Sequence, residues 1–396
     1  MTSSWAKVGF GLLIAATSAD AFYKYLGFGG IAVYTTFCVA AVFFLARASI
    51  GAKLNLALTD RQAVIAAAAV FAVLIVVCLL VYPLADTGQL GDRGSDADDA
   101  LVIGAQALLH GHYPFYPLTY YGNQIAPMPG AILLAIPFAI KPLIALQNIF
   151  WLAILFWVVS KDLRSWSYGL LLLLALALLC PAVMQNLLTA TDRLSNTIYI
   201  LVAMWLMLKY VPDDDARWWK KLFPAILLGI GLSSRSNFFF VVPIFFSALG
   251  QIAGWTRAVK YLAISGAVFL AVTLPFWLYD PAGFSPFVVQ SDKMAQFNST
   301  LPHASLVVAI SGMLLAVIVA IRKMDRDLVT FFFNCGLVQL FSVLLLSAIS
   351  TAHSGKLDLY FGHVSYGVFA LVFFLFAGVI RLKRMAPSSA ARVQPQ

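Results

Sequence analysis

The chain has 396 residues, 62% of them apolar and 11% charged, with a formal net charge of +9. This composition excludes a soluble multidomain enzyme. Apolar runs long enough to cross a bilayer core as helices recur along the whole length, and the polar stretches between them are too short for a nucleotide-binding domain. It also removes nucleic acid as the reading of the positive charge, because Lys and Arg in a polytopic membrane protein first report which loops face the cytoplasm.

In chain order, the apolar runs predict spans at roughly 7–24, 29–46, 63–84, 143–160, 166–184, 194–211, 222–233, 237–250, 257–278, 303–321, 328–349 and 359–381, about 12 in all. The expected fold is therefore all-α: a polytopic membrane protein of about 12 transmembrane helices, with residues 1–396 forming a single integral membrane domain. Residues 8–21 also carry features of a signal peptide, ending in a small-x-small "ADA", but their basic region is a single Lys7. With both termini in the cytoplasm, the basic clusters at Arg47 to Arg61, Lys161 and Arg164, Arg217 to Lys221, Arg257 and Lys260, Arg322 to Arg326 and Arg381 to Arg384 all fall on one side. This topology requires "PMPGAILLAIPFAIKPL" at 127–143 to be a short helix dipping in from outside, broken by Pro137 and Pro142. The outer side then holds a first large loop, 85–127, with an amphipathic surface helix, a second loop at 280–302, and "STAHSGKLDLYFGH" at 350–363. All five His fall there or at its membrane boundary, so the working face is expected to be the outer one. The Pro/Ser/Gln-rich tail, 385–396, reads as a disordered cytoplasmic segment.

Every acidic residue is an Asp, so a carboxylate acting as general base must be one of 17. Those on the cytoplasmic side mostly neighbour Lys or Arg, as solvated loop charges do. The outer cluster Asp96, Asp98 and Asp99 in "GSDADDALVIGAQALLHGHYPFY" is different. Ser95 with Asp98 matches a capping box, and acidic residues suit a helix first turn, yet capping accounts for one or two of the three. Leu101, Ala105 and Leu108 then form an apolar stripe expected to lie on the membrane surface. Arg235 in "GLSSRSN" sits where two short apolar runs meet, a depth at which a charge faces a cavity or an anionic partner, and guanidinium binds phosphate in a bidentate way. Its structural alternative is a snorkelling Arg on a lipid headgroup. Asp192 and Arg193 precede another apolar run and could simply cap it. Lys293, His353, Lys356 and His363 are weaker candidates, since a lone outer-loop His or Lys is usually solvated. No HxxxH spacing supports zinc, whereas a divalent cation held by the Asp cluster stays open. "DAD" at 96–98 and "DDD" at 213–215 match the DxD pattern of soluble glycosyltransferases, but 213–215 has no α/β domain around it and 96–98 faces a compartment without nucleotide sugars.

Together, "DADDALVIGAQALLHGHYPFY", "APMPGAILLAIPF", "TATDRLSN" and "SSRSNFFFVVP", in that order over roughly residues 85–245, resemble the GT-C superfamily of polytopic membrane glycosyltransferases. The resemblance implies an inverting transfer of sugar from a polyprenyl-phosphate donor to a glycan, lipid or protein acceptor on the non-cytoplasmic face. It sets Asp96, Asp98 or Asp99 as the base, without choosing among them, and matches Asp192 to a second outer carboxylate and Arg235 to a basic residue for the donor phosphate. Arg193 is a second candidate for that phosphate. Tyr113 and Tyr116, with neighbouring aromatics, could stack on sugar faces or form an interfacial belt, and His353 is a further substrate-side candidate. Such a protein belongs in a membrane of the cell envelope, a bacterial inner membrane, with its site in the periplasm. A rival class is a secondary transporter or lipid flippase, which predicts charges near mid-membrane and two related halves. A third is a non-catalytic scaffold that would tolerate loss of the acidic cluster.

Overall fold

A computed structural model describes residues 4–45, 58–87, 96–322, 327–359 and 366–385. The described residues are helical with no strand, and the helices run α1 Ser4–Ala16, α2 Ala19–Leu45, α3 Asp60–Asp86, α4 Ala97–Leu109, α5 Pro129–Ala135, α6 Gln147–Asp162, α7 Trp166–Leu179 and α8 Pro181–Leu188. They continue as α9 Arg193–Tyr210, α10 Trp218–Leu232, α11 Val242–Ala253, α12 Trp255–Tyr279, α13 Ser285–Ala295, α14 Ala304–Ile321, α15 Leu328–Ser354 and α16 Val368–Met385. Short 3-10 turns precede α6, at Leu143–Leu146, and α11, at Ser236–Val241.

Among the described residues, seven helical segments are long and apolar enough to cross a bilayer: Leu26–Leu45, Asp60–Asp86, Leu143–Asp162, Ser236–Ala253, Trp255–Tyr279, Ala304–Ile321 and Leu328–Ser354. The α7–α8 pair, bent by 83°, makes an eighth if it counts as one crossing. The protein is thus a polytopic helical membrane protein, but the expected twelve spans reduce to seven or eight on this measure. Four helices account for the difference. The first, α1, has only 13 residues and α10 only 15, while α9 begins with Arg193, Ser195, Asn196 and Thr197, and α16 ends with Arg381, Lys383 and Arg384. Both α9 and α16 are walled in by other helices, with most residues buried. A helix that meets protein on nearly every side needs no lipid-compatible exterior and is free to carry polar groups. By contrast α3, α12 and α14 leave rows such as Val73, Val76 and Leu80, or Leu270, Leu274 and Leu278, exposed as lipid-facing surface.

The 127–143 segment folds as α5 and a 3-10 turn at Ile136–Phe138, an apolar piece too short to span. The apolar stripe of the expected surface helix packs against protein. In α4, Leu101 and Ala105 are fully buried, because Gly104 lacks a side chain and Ile132 of α5 approaches to where its Cβ would be. Asp96 stands at the N-cap without a side-chain capping bond, and Ser95, the first residue of the expected capping box with Asp98, lies outside the described residues. So do His363 and the tail beyond Met385.

Contacts between helix ends sort the charges. Asp60 at the start of α3 accepts from the Trp166 backbone N–H at the start of α7, and Lys209 at the end of α9 pairs with Asp162 at the end of α6. Arg257 at the start of α12 pairs with Asp214, and Arg384 at the end of α16 with Asp327 at the start of α15. These ends form one basic pole. The opposite ends of α3, α9 and α12 carry Tyr82, Asp192 and Asp280, and contacts bring Asp98 to Tyr82 and Arg235 to Asp192, making an acidic and polar pole.

Candidate active site

Two clusters of buried charge occupy the acidic pole. The first joins the last turn of α3, the first turn of α4 and the turn before α6. Tyr82 Oη donates to Asp98 Oδ2 at 2.6 Å, and both residues are almost wholly buried. Lys141 Nζ donates to Asp86 at 2.9 and 3.1 Å and lies 2.7 Å from Asp99 Oδ1, with the Tyr120 ring 5.0 Å away on its other side. Asp96 is the most exposed of the acidic trio and accepts from Asn123 Nδ2 at 2.5 Å and Thr119 Oγ1 at 3.1 Å.

Burial pushes the Asp98 carboxyl up to about 7, with Asp99 and Asp86 adding to the rise and the Tyr82 hydrogen bond opposing it. Burial also raises Asp99, against the pull of Lys141. Burial alone would lower Lys141, but its two carboxylate partners more than reverse that. Asp86, Asp98 and Asp99 each place an oxygen within 4.8 Å of the others, a spacing that a divalent cation could use. The Lys141 ammonium already supplies counter-charge to two of them. A metal would have to compete with it.

The second cluster lies where α9 begins and α10 ends. Arg235 Nη2 donates to Asp192 Oδ1 at 2.7 Å, and Asp192 Oδ2 accepts from Asn196 Nδ2 at 3.0 Å. Tyr199 Oη in turn donates to Asn196 Oδ1 at 2.5 Å. Asn148 of α6 fixes the approach to this cluster by donating to Asn186 and Thr191 carbonyls, both at 2.9 Å, while its Oδ1 accepts from Ser195 N and Oγ. That web holds Ala190 in the left-handed region, φ 51°, two residues before Asp192. Arg193 stacks over Tyr366, 4.4 Å from the ring centre.

Arg235, Lys293 and Tyr366 line a cavity of about 400 Å³ whose other walls are mostly apolar, including Phe239, Phe240, Met313 and Val343. Gln290, Asn237 and Gln339 add amides, with Asn237 and Gln339 bonded to each other at 2.9 Å. None of Asp96, Asp98 and Asp99 lines this cavity, and Asp192 and Arg193 sit behind its wall, against Arg235 and Tyr366.

A single strand of chain ties the two clusters together. Asn123 holds Asp96, and five residues later the Met128 backbone N–H donates to Ser234 O at 3.3 Å, next to Arg235. Five residues reach at most about 18 Å, which bounds the separation of the two anchor points. Ala126 and Met128 of this strand line the cavity.

The remaining candidates lie apart. Tyr113 and Tyr116 pack together, 4.6 Å between rings, with their hydroxyls donating to Phe276 O at 2.9 Å and Asp280 Oδ2 at 3.1 Å. Burial followed by the Asp280 charge pushes Tyr113 up to about 12. His353, in the last turn of α15, meets the Thr300 hydroxyl at 2.9 Å and the Phe297 ring, and lines neither cluster nor cavity. Sequence reasoning missed Tyr82, Asp86, Lys141, Asn148 and Tyr366. A lone Lys in the apolar "AIPFAIKPL" was the signal for Lys141, since such a charge demands a partner. Comparison with known proteins gives no matching family model, no matching curated protein and no matching solved structure.

Proposed function

We propose that this protein is an inverting membrane glycosyltransferase that moves a sugar from a polyprenyl-phosphate donor to an acceptor hydroxyl. The observation that carries this reading is the cavity in which Arg235 and Lys293 face a wall of apolar side chains. Few ligands want both at once, and a lipid phosphate does: its phosphate takes the cations and its hydrocarbon the apolar wall. In this reading the basic pole and both termini face the cytoplasm, in keeping with the positive-inside rule, and the cavity faces the non-cytoplasmic side of a bacterial inner membrane.

The acceptor oxygen attacks the anomeric carbon as its proton passes to a carboxylate. The bond from that carbon to the phosphate oxygen breaks, and the electron pair leaves with the polyprenyl phosphate, whose charge Arg235 and Lys293 stabilise. Of the three carboxylates, Asp98 has the proton affinity suited to a base near neutrality, and Asp96 is the one an acceptor meets first. Asp192 orients Arg235 through their ion pair. Tyr116, exposed and backed by Tyr113, offers a face for a sugar acceptor.

The test is release of polyprenyl phosphate from a defined lipid-linked sugar by the full chain in nanodiscs. Arg235→Gln should lower donor affinity, and one of Asp96→Asn, Asp98→Asn and Asp99→Asn should stop turnover with donor still bound. Full turnover in all three Asn variants and in the triple variant removes the assignment. Passage of the donor across a liposome membrane without any release would replace it with the flippase reading.

A further inference from the structure

At the basic pole, a groove of about 680 Å³ runs between α1, α15 and α16. Its walls are apolar except for Thr330 and Arg381, and they run from Ala6 to Ala16 on α1. Ten residues of helix rise about 15 Å, which is about half of a 30 Å hydrocarbon core. The groove is therefore as deep as one leaflet. Phe10 closes one side of it, packing on Phe333 of α15 and Phe374 of α16, but beside that contact the groove is open: a side chain built at Gly9 would meet nothing within 4 Å among the described residues.

Arg381 lies at the pole end of this groove and also lines a smaller apolar cleft of about 80 Å³ on the other side of α1, between α2, α7 and α16. Its neighbours are engaged: Arg384 pairs with Asp327, and Lys383 lies over the Tyr168 ring. No carboxylate pairs with Arg381 among the described residues. An unpaired guanidinium at the end of a leaflet-deep apolar groove calls for an anion carried on a hydrocarbon chain.

We propose that this groove is a binding site for an anionic phospholipid of the surrounding membrane, one acyl chain lying along Gly9 and Leu13 and the headgroup phosphate on Arg381. The lipid fills the space between α1 and the bundle and fastens that helix to α15 and α16. The inference is independent of the transfer reaction and of the cavity at the other pole.

The full chain, purified in mild detergent, is incubated with equimolar phosphatidylglycerol and phosphatidylcholine, and retained lipid is read by native mass spectrometry. The native chain should keep the anionic lipid in about fivefold excess, the preference that one basic residue near a membrane surface confers. Arg381→Gln should abolish the preference and Arg381→Lys restore part of it. Gly9→Trp fills the groove from α1, and Leu344→Trp fills it from an exposed position on α15, so both should lose retention of either lipid. Leu344→Trp keeps the test open if the change on α1 impairs folding. Equal retention of the two lipids by the native chain, or retention undiminished in both Trp variants, overturns the site.

Discussion

Tyr82 and Asp98, sixteen residues apart and on different helices, meet through a 2.6 Å hydrogen bond inside a cluster that also holds Asp86 and Asp99. The phenol is the direct donor that stabilises the Asp98 charge, while burial and two neighbouring carboxylates oppose it. The folded carboxyl therefore titrates near 7, well above the ordinary value of about 3.9 in an unfolded chain. Between these values the folded protein binds the extra proton, so Asp98 contributes stability that is full below about pH 4 and is lost as pH rises through 7. Thermal unfolding followed from pH 5 to pH 8 should show the native chain losing more stability than Asp98→Asn. Tyr82→Phe should move the titration upward. If Asp98 is the base, the same shift should appear as a higher midpoint in the pH profile of turnover.

Arg235 and Asp192 form a pair with almost no exposed surface on the acid side. Removing one partner of such a pair leaves an uncompensated buried charge, at a cost of about 3–5 kcal/mol. Arg235→Met and Asp192→Asn should each lower the free energy of unfolding by that much. The double variant should regain most of it. All four cysteines are buried, so a thiol-reactive dye reports the transition directly. Additive losses in the double variant would mean that the two side chains act separately.

Lys141 is a cation of the first cluster, and its loss leaves Asp86, Asp98 and Asp99 crowded within 4.8 Å with no other counter-charge among the described residues. Lys141→Met should destabilise the fold by about 2 kcal/mol, as repulsion and desolvation are no longer offset. The vacated position suits a hard divalent ion with carboxylate ligands. Calcium or magnesium should therefore raise the unfolding temperature of Lys141→Met more than that of the native chain. Equal responses would show that the ammonium does not hold the ion's place.

How much of this was legible in the sequence differs by residue. The apolar runs announced a helical membrane bundle, and Arg235 announced a charge at a helix break, because each carries its signal locally. The break itself, "GLSSRSN", falls between Leu232 and Ser236 as the spacing predicts. Pairing is not local. Nothing in the hydropathy pattern says that Lys141 reaches Asp99, or that Asn148 spans two loops to hold Asp192, since those contacts join segments some forty residues apart. Two of the four spans not confirmed have the same cause: α9 and α16 are polar at one end because neighbouring helices cover them, and a linear scan cannot see a neighbour. Asp96, Asp98 and Asp99 looked alike in sequence and have three different partners in the fold.

The joint between the clusters rests on Gly130. Its backbone N–H donates to Ser233 O at 2.7 Å, and an added Cβ would lie 2.1 Å from Ile230 O and 2.7 Å from Ser233 O. Those are backbone atoms of α10 and its end, which cannot rotate away as a side chain tip can. Gly130→Ala must therefore push α5 from α10, at a cost of about 3 kcal/mol at the upper end of overpacking effects. Because Ala126 and Met128 lie in the same strand and line the cavity, the change should also weaken donor binding although residue 130 lines no part of it. Gly9→Ala is the matched control. It sits in a helix with open space around it, so the substitution should stabilise by up to about 1 kcal/mol through helix propensity alone. Unfolding midpoints and donor affinity measured on the two variants separate packing at the joint from a general intolerance of alanine: Gly130→Ala should lose both, and Gly9→Ala neither.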